Sequence, residues 1–408
     1  MKAARPYPRI TITPKGERAL TGGHPWVYEG EVLELSDPVE DGALVDVVSR
    51  KGSWLGCGFY NSASKIRVRV VTRNANDDPS GDAFWARRLR YAWDYRKAVM
   101  GETDSRCCRI IFGEADGFPG LTVDRFESVL VAQVLSLGME RLKARLFPLL
   151  ADMLRQDGQD IRGIYERNDA ALREREGMTQ SKGWFPLPGE TPPERTDVDI
   201  TENGIVYTVD FENGQKTGFF LDQKYNRLAV AKLARGRTVL DCFTHTGSFA
   251  LNAAKGGAKR VTAVDVSEFA VQCAAENARR NGLDGVMDCV CANVFDLLPQ
   301  LQKGQYDFII LDPPAFTKSR QTTQRAMAGY KEINYRAMRL LPRGGYLATC
   351  SCSHFATEEL FRKMLHAAAH DAGVQLRQIE ARQQSADHPI LWGVEETSYL
   401  KFYLFQVV

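Results

Sequence analysis

Five short apolar runs in the second half of the chain constrain its fold more than any other feature: "TVLDCF", "RVTAVDVS", "MDCVCANV", "YDFIILDPP" and "GGYLATCSCS". Helix-forming segments separate them, among them "EFAVQCAAENARRNG" and "QRAMAGYKEINYRAMRLL". Strands that are apolar throughout and alternate with helices are covered on both faces, as in a doubly wound parallel sheet. The expected class is α/β, with a Rossmann-like sheet in residues 193–408.

Ligands of such sheets bind beyond the carboxyl ends of the strands. The first strand closes on Asp241 and turns through "FTHTGS" into a helix. No GxGxxG is present, so the dinucleotide fingerprint is absent. Asp265 ends the second strand, where an acidic group can hold a ribose diol. A ribose without the glycines that admit a pyrophosphate points to S-adenosylmethionine, with S-adenosylhomocysteine as product. Asp241 and the Phe243 carbonyl suit its ammonium, and Asn293, after the third strand, suits the adenine amine. Thr244, Thr246 and Gly247 in the first turn, with Val266 and Val294, are assigned to the same ligand. The competing reading is another nucleotide, or an aspartate that only caps a turn.

The fourth strand ends in "LDPPAF". Proline fixes φ and removes an amide proton, so the backbone after Asp312 is stiff and its carbonyls are free for a planar base. Two chemistries fit. Asp312 and the Pro313 carbonyl can orient an exocyclic amine for direct methyl transfer. Alternatively they hold the polar edge of a pyrimidine while a thiolate adds to its C6, which makes C5 nucleophilic. The next strand ends "TCSCSHF", and alternation puts Cys350 and Cys352 on one face. Cys352 is nearer the crevice and is the candidate nucleophile; Cys350 reads as core. Cys289 and Cys291 read as packing. A helix is predicted from Thr357, with Glu358 and Glu359 in its first turn.

Ahead of this region, residues 1–74 hold short alternating runs such as "RITITP", "GALVDVVS" and "KIRVRVVTR" between turn signals, which predicts a small β-barrel. Residues 75–192 read as an α+β domain with a helix over "AFWARRLRYAWDYRKAVM" and a hairpin at "LTVDRFESVLVAQVLS". A formal charge of +2 is too weak to signal a nucleic-acid binder, so any basic surface is local. No stretch is apolar enough to span a bilayer. Nine cysteines without a CxxC, apart from the six histidines, predict neither disulfides nor bound metal and suit a reducing cytoplasm.

Taken together, "GHPWVYEGEV", "GIYERNDAALREREGM", "ENGQKTGFFLDQKYNR", "VLDCFTHTGSFAL", "LDPPAF", "SCS", "ADHPI" and "SYLKFYLFQV" resemble the bacterial large-subunit ribosomal RNA cytosine-5 methyltransferases that carry an amino-terminal PUA domain. The resemblance covers nearly the whole chain. It implies a PUA barrel, a central α+β domain, a methyltransferase domain, ribosomal RNA or its precursor as substrate, and a homodimer. It implies that Cys352 is the nucleophile, and that Gln223 and Phe219 in "KTGFFLDQK" contact the methyl donor. Where relatives often carry Asp, this chain has Asn293, whose amide oxygen still accepts a hydrogen bond.

RNA would be gripped locally. Lys65, Arg67 and Arg69 alternate along one predicted strand, and Arg87, Arg88 and Arg90 interleave with Tyr91 and Trp93 on the predicted helix. Two other functions compete: an amine methyltransferase whose sulfurs are structural, and a non-catalytic RNA-binding assembly factor. The acidic set Asp241, Asp265 and Asp312 argues against the second.

Overall fold

Alternating β-branched residues build the first sheet of the computed structural model, which describes residues 5–317 and 319–408. β1 (Arg9–Ile12), β2 (Trp26–Tyr28), β3 (Val32–Leu35), β4 (Leu44–Ser49), β5 (Trp54–Tyr60) and β6 (Ile66–Thr72) pair in the order β2-β6-β5-β4-β1-β3. Ile10, Ile12, Val27, Val45, Val47 and Val68 form its core. α1 (Pro14–Thr21) starts where Pro14 supplies a helix-ready φ and Thr13 accepts the Gly16 N–H.

α2 (Asp82–Asp104) spends its tryptophans on packing. Trp85 and Trp93 are fully buried, and Trp85 lies 6.1 Å from Phe59 and 5.7 Å from Phe118. β7 (Cys107–Phe112), β8 (Leu121–Phe126), β9 (Val129–Val134), β10 (Gly163–Asn168) and β11 (Ser181–Trp184) form a sheet in the order β11-β10-β9-β8-β7, with α3 (Leu137–Gln156) after β9. β12 (Asp197–Glu202) and β13 (Ile205–Asp210) make a hairpin.

The strand–helix rhythm then takes over. It runs α4 (Lys224–Leu233), β14 (Thr238–Cys242), α5 (Ser248–Lys255), β15 (Arg260–Asp265), α6 (Glu268–Arg280), β16 (Met287–Cys291) and α7 (Val294–Leu297). It continues through β17 (Phe308–Leu311), α8 (Thr323–Leu340), β18 (Tyr346–Ser351), α9 (Glu358–Ala372), β19 (Leu376–Arg382) and β20 (Lys401–Val407). The seven strands are ordered β16-β15-β14-β17-β18-β20-β19. β20 runs antiparallel to both its neighbours, whereas the other pairs are parallel. The order reverses between β14 and β17, which opens a crevice at their carboxyl ends. Leu240, Ile309, Leu311 and Leu347 pack with Tyr330, Phe361 and Tyr403 into one core. Thr357 caps α9 by accepting the Leu360 N–H.

By tertiary contact the chain forms two units. One holds the chain up to Ile200 with Thr208–Leu221 and Ala386–Thr397; the other holds Thr201–Tyr207, Asp222–Ser385 and Ser398–Val408. The first two sheets share a unit, and the chain passes between units several times, which boundaries read from local composition do not anticipate. Among the described residues no helix is long and apolar enough to cross a membrane.

Candidate active site

The crevice begins at Asp241, in β14 and fully buried. Its Oδ2 accepts Thr244 Oγ1–H and, at 3.0 Å, the Ala250 N–H. Oδ1 has no partner among the described residues, and neither does Thr246 Oγ1. Burial pushes the Asp241 carboxyl up to about 7, against the lowering effect of Thr244. The chain leaves β14 through a strained turn: Phe243, His245 and Gly247 have φ of 65°, 52° and 83°. At Gly247 a Cβ would also lie 3.0 Å from Ala274 Cβ and 3.1 Å from Met287 Cε. The turn closes through Thr244 N–H to Val264 O at 2.9 Å.

Asp265 ends β15 and braces this turn. Its Oδ2 accepts the His245 N–H at 2.9 Å and its Oδ1 the Ser267 N–H at 3.0 Å. Each oxygen keeps a lone pair for a diol. Beside it Val266 is 72% exposed, and Phe295 is exposed as well. Asn293 caps α7, accepting the Phe295 N–H at 3.0 Å with the oxygen assigned to adenine. The Val294 side chain is buried in the core, which leaves its backbone as the part a ligand could meet. Cys291 departs from expectation: it is exposed because β16 is the sheet's edge strand.

These residues fit S-adenosylmethionine. A buried carboxylate oxygen without a partner among the described residues suits an ammonium, a braced carboxylate suits a ribose diol, and the exposed apolar Val266 beside that carboxylate suits adenine.

Asp312 follows β17. Its Oδ1 accepts Gln223 Nε2–H at 3.0 Å, and Gln223 Oε1 accepts Asn226 Nδ2–H at 2.6 Å. Burial, then the neighbouring Asp222 charge, pushes Asp312 up to about 6. Asp222 Oδ2 accepts Tyr399 O–H at 2.6 Å.

The two sulfurs part company here. Cys350 is fully buried inside β18; burial, then the Asp312 charge, drives its thiol well above the ordinary range. Cys352 lies just past the end of β18, half-buried, with Sγ 4.0 Å from Pro313 O. "SCS" and "DPP" are therefore adjacent in space. Ser353 Oγ pairs with Tyr330 O–H at 3.0 Å. Lys401 Nζ donates to Ser353 O at 2.7 Å and Tyr399 O at 2.9 Å.

Sequence reasoning missed Lys401 and Tyr330. The available signal was a lysine inside the apolar run "SYLKFYLFQV", because lysine is almost never buried without partners.

Phe219 lies in the other unit, where it is buried. The expected basic stripe is largely consumed there. Arg69 is buried, pairing with Glu114 at 3.3 Å and Glu176 at 3.0 Å and stacking on Trp26, and Arg67 pairs with Glu29 at 2.7 Å. Neither guanidinium presents the open phosphate-binding face expected of it, because nearby carboxylates already neutralise both. Lys65 is exposed. On α2, Arg88 turns inward to Gly117 O at 3.2 Å, Arg87 pairs with Asp77 at 2.8 Å and Arg90 with Asp157 at 3.2 Å.

Residues 10–73 match a PUA-like domain, and residues 181–405 match the S-adenosylmethionine-dependent methyltransferases. The ribosomal RNA large subunit methyltransferase I of Klebsiella pneumoniae is 38% identical over 405 residues, covering 98% of this chain and 99% of that protein. The protein of the same name from Salmonella arizonae is 39% identical, covering 98% of each. In fold, the chain is similar to a protein of Streptococcus mutans assigned as a SAM-dependent methyltransferase (TM-score 0.78, 22% identity, 98% of this chain and 100% of that one). A methyltransferase structure holding S-adenosylhomocysteine has a TM-score of 0.79 at 21% identity, with the same coverage.

Proposed function

Because this chain belongs to the S-adenosylmethionine-dependent methyltransferases and carries a PUA-like domain, we propose that it forms 5-methylcytidine in large-subunit ribosomal RNA through Cys352. The RNA class follows the names of its relatives. One observation carries the chemistry: the half-buried Cys352 sulfur sits beside Pro313 O, at the rim where Asp312 also lies, while Cys350 is sealed in the strand. A nucleophilic cysteine needs access and an electrostatically favourable setting. Cys350 has neither.

Bound S-adenosylmethionine supplies an electrophilic methyl group. The protein's part is to make a cytosine carbon able to take it. Asp312 and the Pro313 carbonyl hold the polar edge of the base. A carboxyl pushed up to about 6 can keep a proton against the ring nitrogen N3 as the sulfur adds. The Cys352 thiolate forms an S–C6 bond, and the C5=C6 electron pair moves to C5, which bonds the methyl group. Asp312 or a water then takes the C5 proton, and the returning electron pair restores C5=C6 and expels the thiolate. Reaching C6 requires an unstacked base, which costs a few kcal/mol unless the target is already unpaired. Lys65 is the open cation of the stripe offered to the RNA backbone.

The test is methyl transfer from radiolabelled donor into large-subunit RNA, with the product nucleoside identified and 5-fluorocytidine RNA used to trap a protein–RNA adduct. Cys352→Ala should lose the adduct and at least a thousandfold in rate, on the order of what covalent catalysis supplies. Near-normal turnover in that variant would reject the thiolate route. It would leave direct methylation of an exocyclic amine at "DPPAF".

A further inference from the structure

We propose that Lys401 is a positioning residue for this reaction: its ammonium, clamped beside the peptide that follows Cys352, holds that sulfur as the thiolate. The inference rests on Cys352 being the nucleophile.

The placement comes from the antiparallel insertion of β20. Lys401, its first residue, pairs in register with Ser351, the last residue of β18. The side chain then reaches forward, and Nζ donates to Ser353 O at 2.7 Å and Tyr399 O at 2.9 Å. Those bonds fix the nitrogen one residue beyond the sulfur-bearing position. Lys401 is 8% exposed, and a charge taken that far out of water requires an opposite charge nearby.

Among the described residues, groups from several elements approach it. From the loop after β18 come Cys352 and Ser353. From α8 comes Tyr330, whose hydroxyl is spent on Ser353 Oγ at 3.0 Å. From α9 comes Glu358, whose Oε1 already accepts Tyr403 O–H at 2.9 Å. From β20 and its approach come Tyr403 and Tyr399. Two of these groups, Cys352 and Glu358, can carry a negative charge near neutral pH, and both act on the Lys401 charge.

Burial pushes Lys401 down to about 8, and the charge of Cys352, then that of Glu358, opposes the fall. Coupling between two sites is reciprocal. A thiolate that keeps the lysine charged is kept ionised by the lysine to the same extent. A carbonyl-anchored ammonium also cannot swing away when the sulfur attacks, or when it is expelled. It therefore stabilises both the nucleophile and the leaving group without being consumed.

The experiment titrates the sulfur alone, without RNA or methyl donor. Iodoacetamide modification of the Cys352 peptide is followed by mass spectrometry from pH 5.5 to 10, in the full chain. The wild-type midpoint should lie clearly below the value of about 8.5 of an ordinary thiol. Lys401→Gln keeps an N–H donor for the two carbonyls and removes the charge. It should raise the midpoint by about one unit and slow modification at pH 7 about tenfold. Lys401→Arg keeps the charge and should stay within about threefold of wild type. A wild-type midpoint at or above about 8.5 overturns the proposal with no variant needed, so a Lys401→Gln protein that fails to bind S-adenosylhomocysteine leaves it still decidable. A folded Lys401→Gln protein with the wild-type profile overturns it too. A shifted thiol in a protein that forms no RNA adduct would instead refute Cys352 as nucleophile, so the two failures are distinct.

Discussion

Binding of S-adenosylhomocysteine should depend on pH through Asp241, and the size of the effect follows from that residue's burial. The perturbation is pH itself, between 6 and 8, in the free protein. Asp241 Oδ1 has no partner among the described residues, and burial pushes the carboxyl up to about 7. An ammonium is held by the ionised form. That form is about 10% of the population at pH 6, about 50% at pH 7 and about 90% at pH 8, and the apparent affinity scales with that fraction. Affinity should therefore rise about tenfold across the range, with about half a proton released per ligand bound at pH 7. Calorimetry in two buffers of different ionisation enthalpy measures both quantities. Asp241→Asn should bind weakly at every pH and release no proton from this site. A wild-type affinity that is flat or falls with pH, or proton uptake on binding, would refute the reasoning. The linkage also has a stability side. A carboxyl raised in the folded state contributes stability that is fully present below its unfolded value near 4 and is lost as pH rises through about 7. The free protein should therefore lose stability over that window, and ligand should restore part of it.

Two further substitutions probe how the site is held. Gly247→Ala places a Cβ 3.0 Å from Ala274 Cβ at a φ of 83°; urea unfolding should show a loss of about 1–3 kcal/mol, accompanied by weaker S-adenosylhomocysteine binding. Glu202→Gln breaks a pair with Arg227 at 2.6 Å, both side chains at most 2% exposed. An uncompensated buried charge should cost about 3–5 kcal/mol, and a loss under 1 kcal/mol in the same unfolding experiment would refute that account.

How much of the site was legible depended on how far apart its parts lie in sequence. Asp241, Asp265 and Asp312 stand at strand ends because the apolar runs that make β14, β15 and β17 stop there, and each run is readable on its own. The cap of α9 at Thr357 is equally local. The basic stripe misled because pattern shows that arginines alternate and cannot show which carboxylates face them. Arg69 meets Glu114 and Glu176, residues from other parts of the first unit. Cys291 looked like packing because a strand does not announce whether it will lie at a sheet's edge.

Local pattern determined the class of fold, the strand ends where a ligand must sit and the kind of ligand their acidic groups can hold, since these depend on the alternation of runs and on the turn that ends each strand. Which sulfur is sealed and which lies open, which amide leans on Asp312, and that a lysine arrives beside Cys352 were decided by assembly of the sheet. β20 enters antiparallel beside β18, bringing Ser351 and Lys401, 50 positions apart, into register. Such pairings arise from closing a core around several elements at once, and no single segment encodes them.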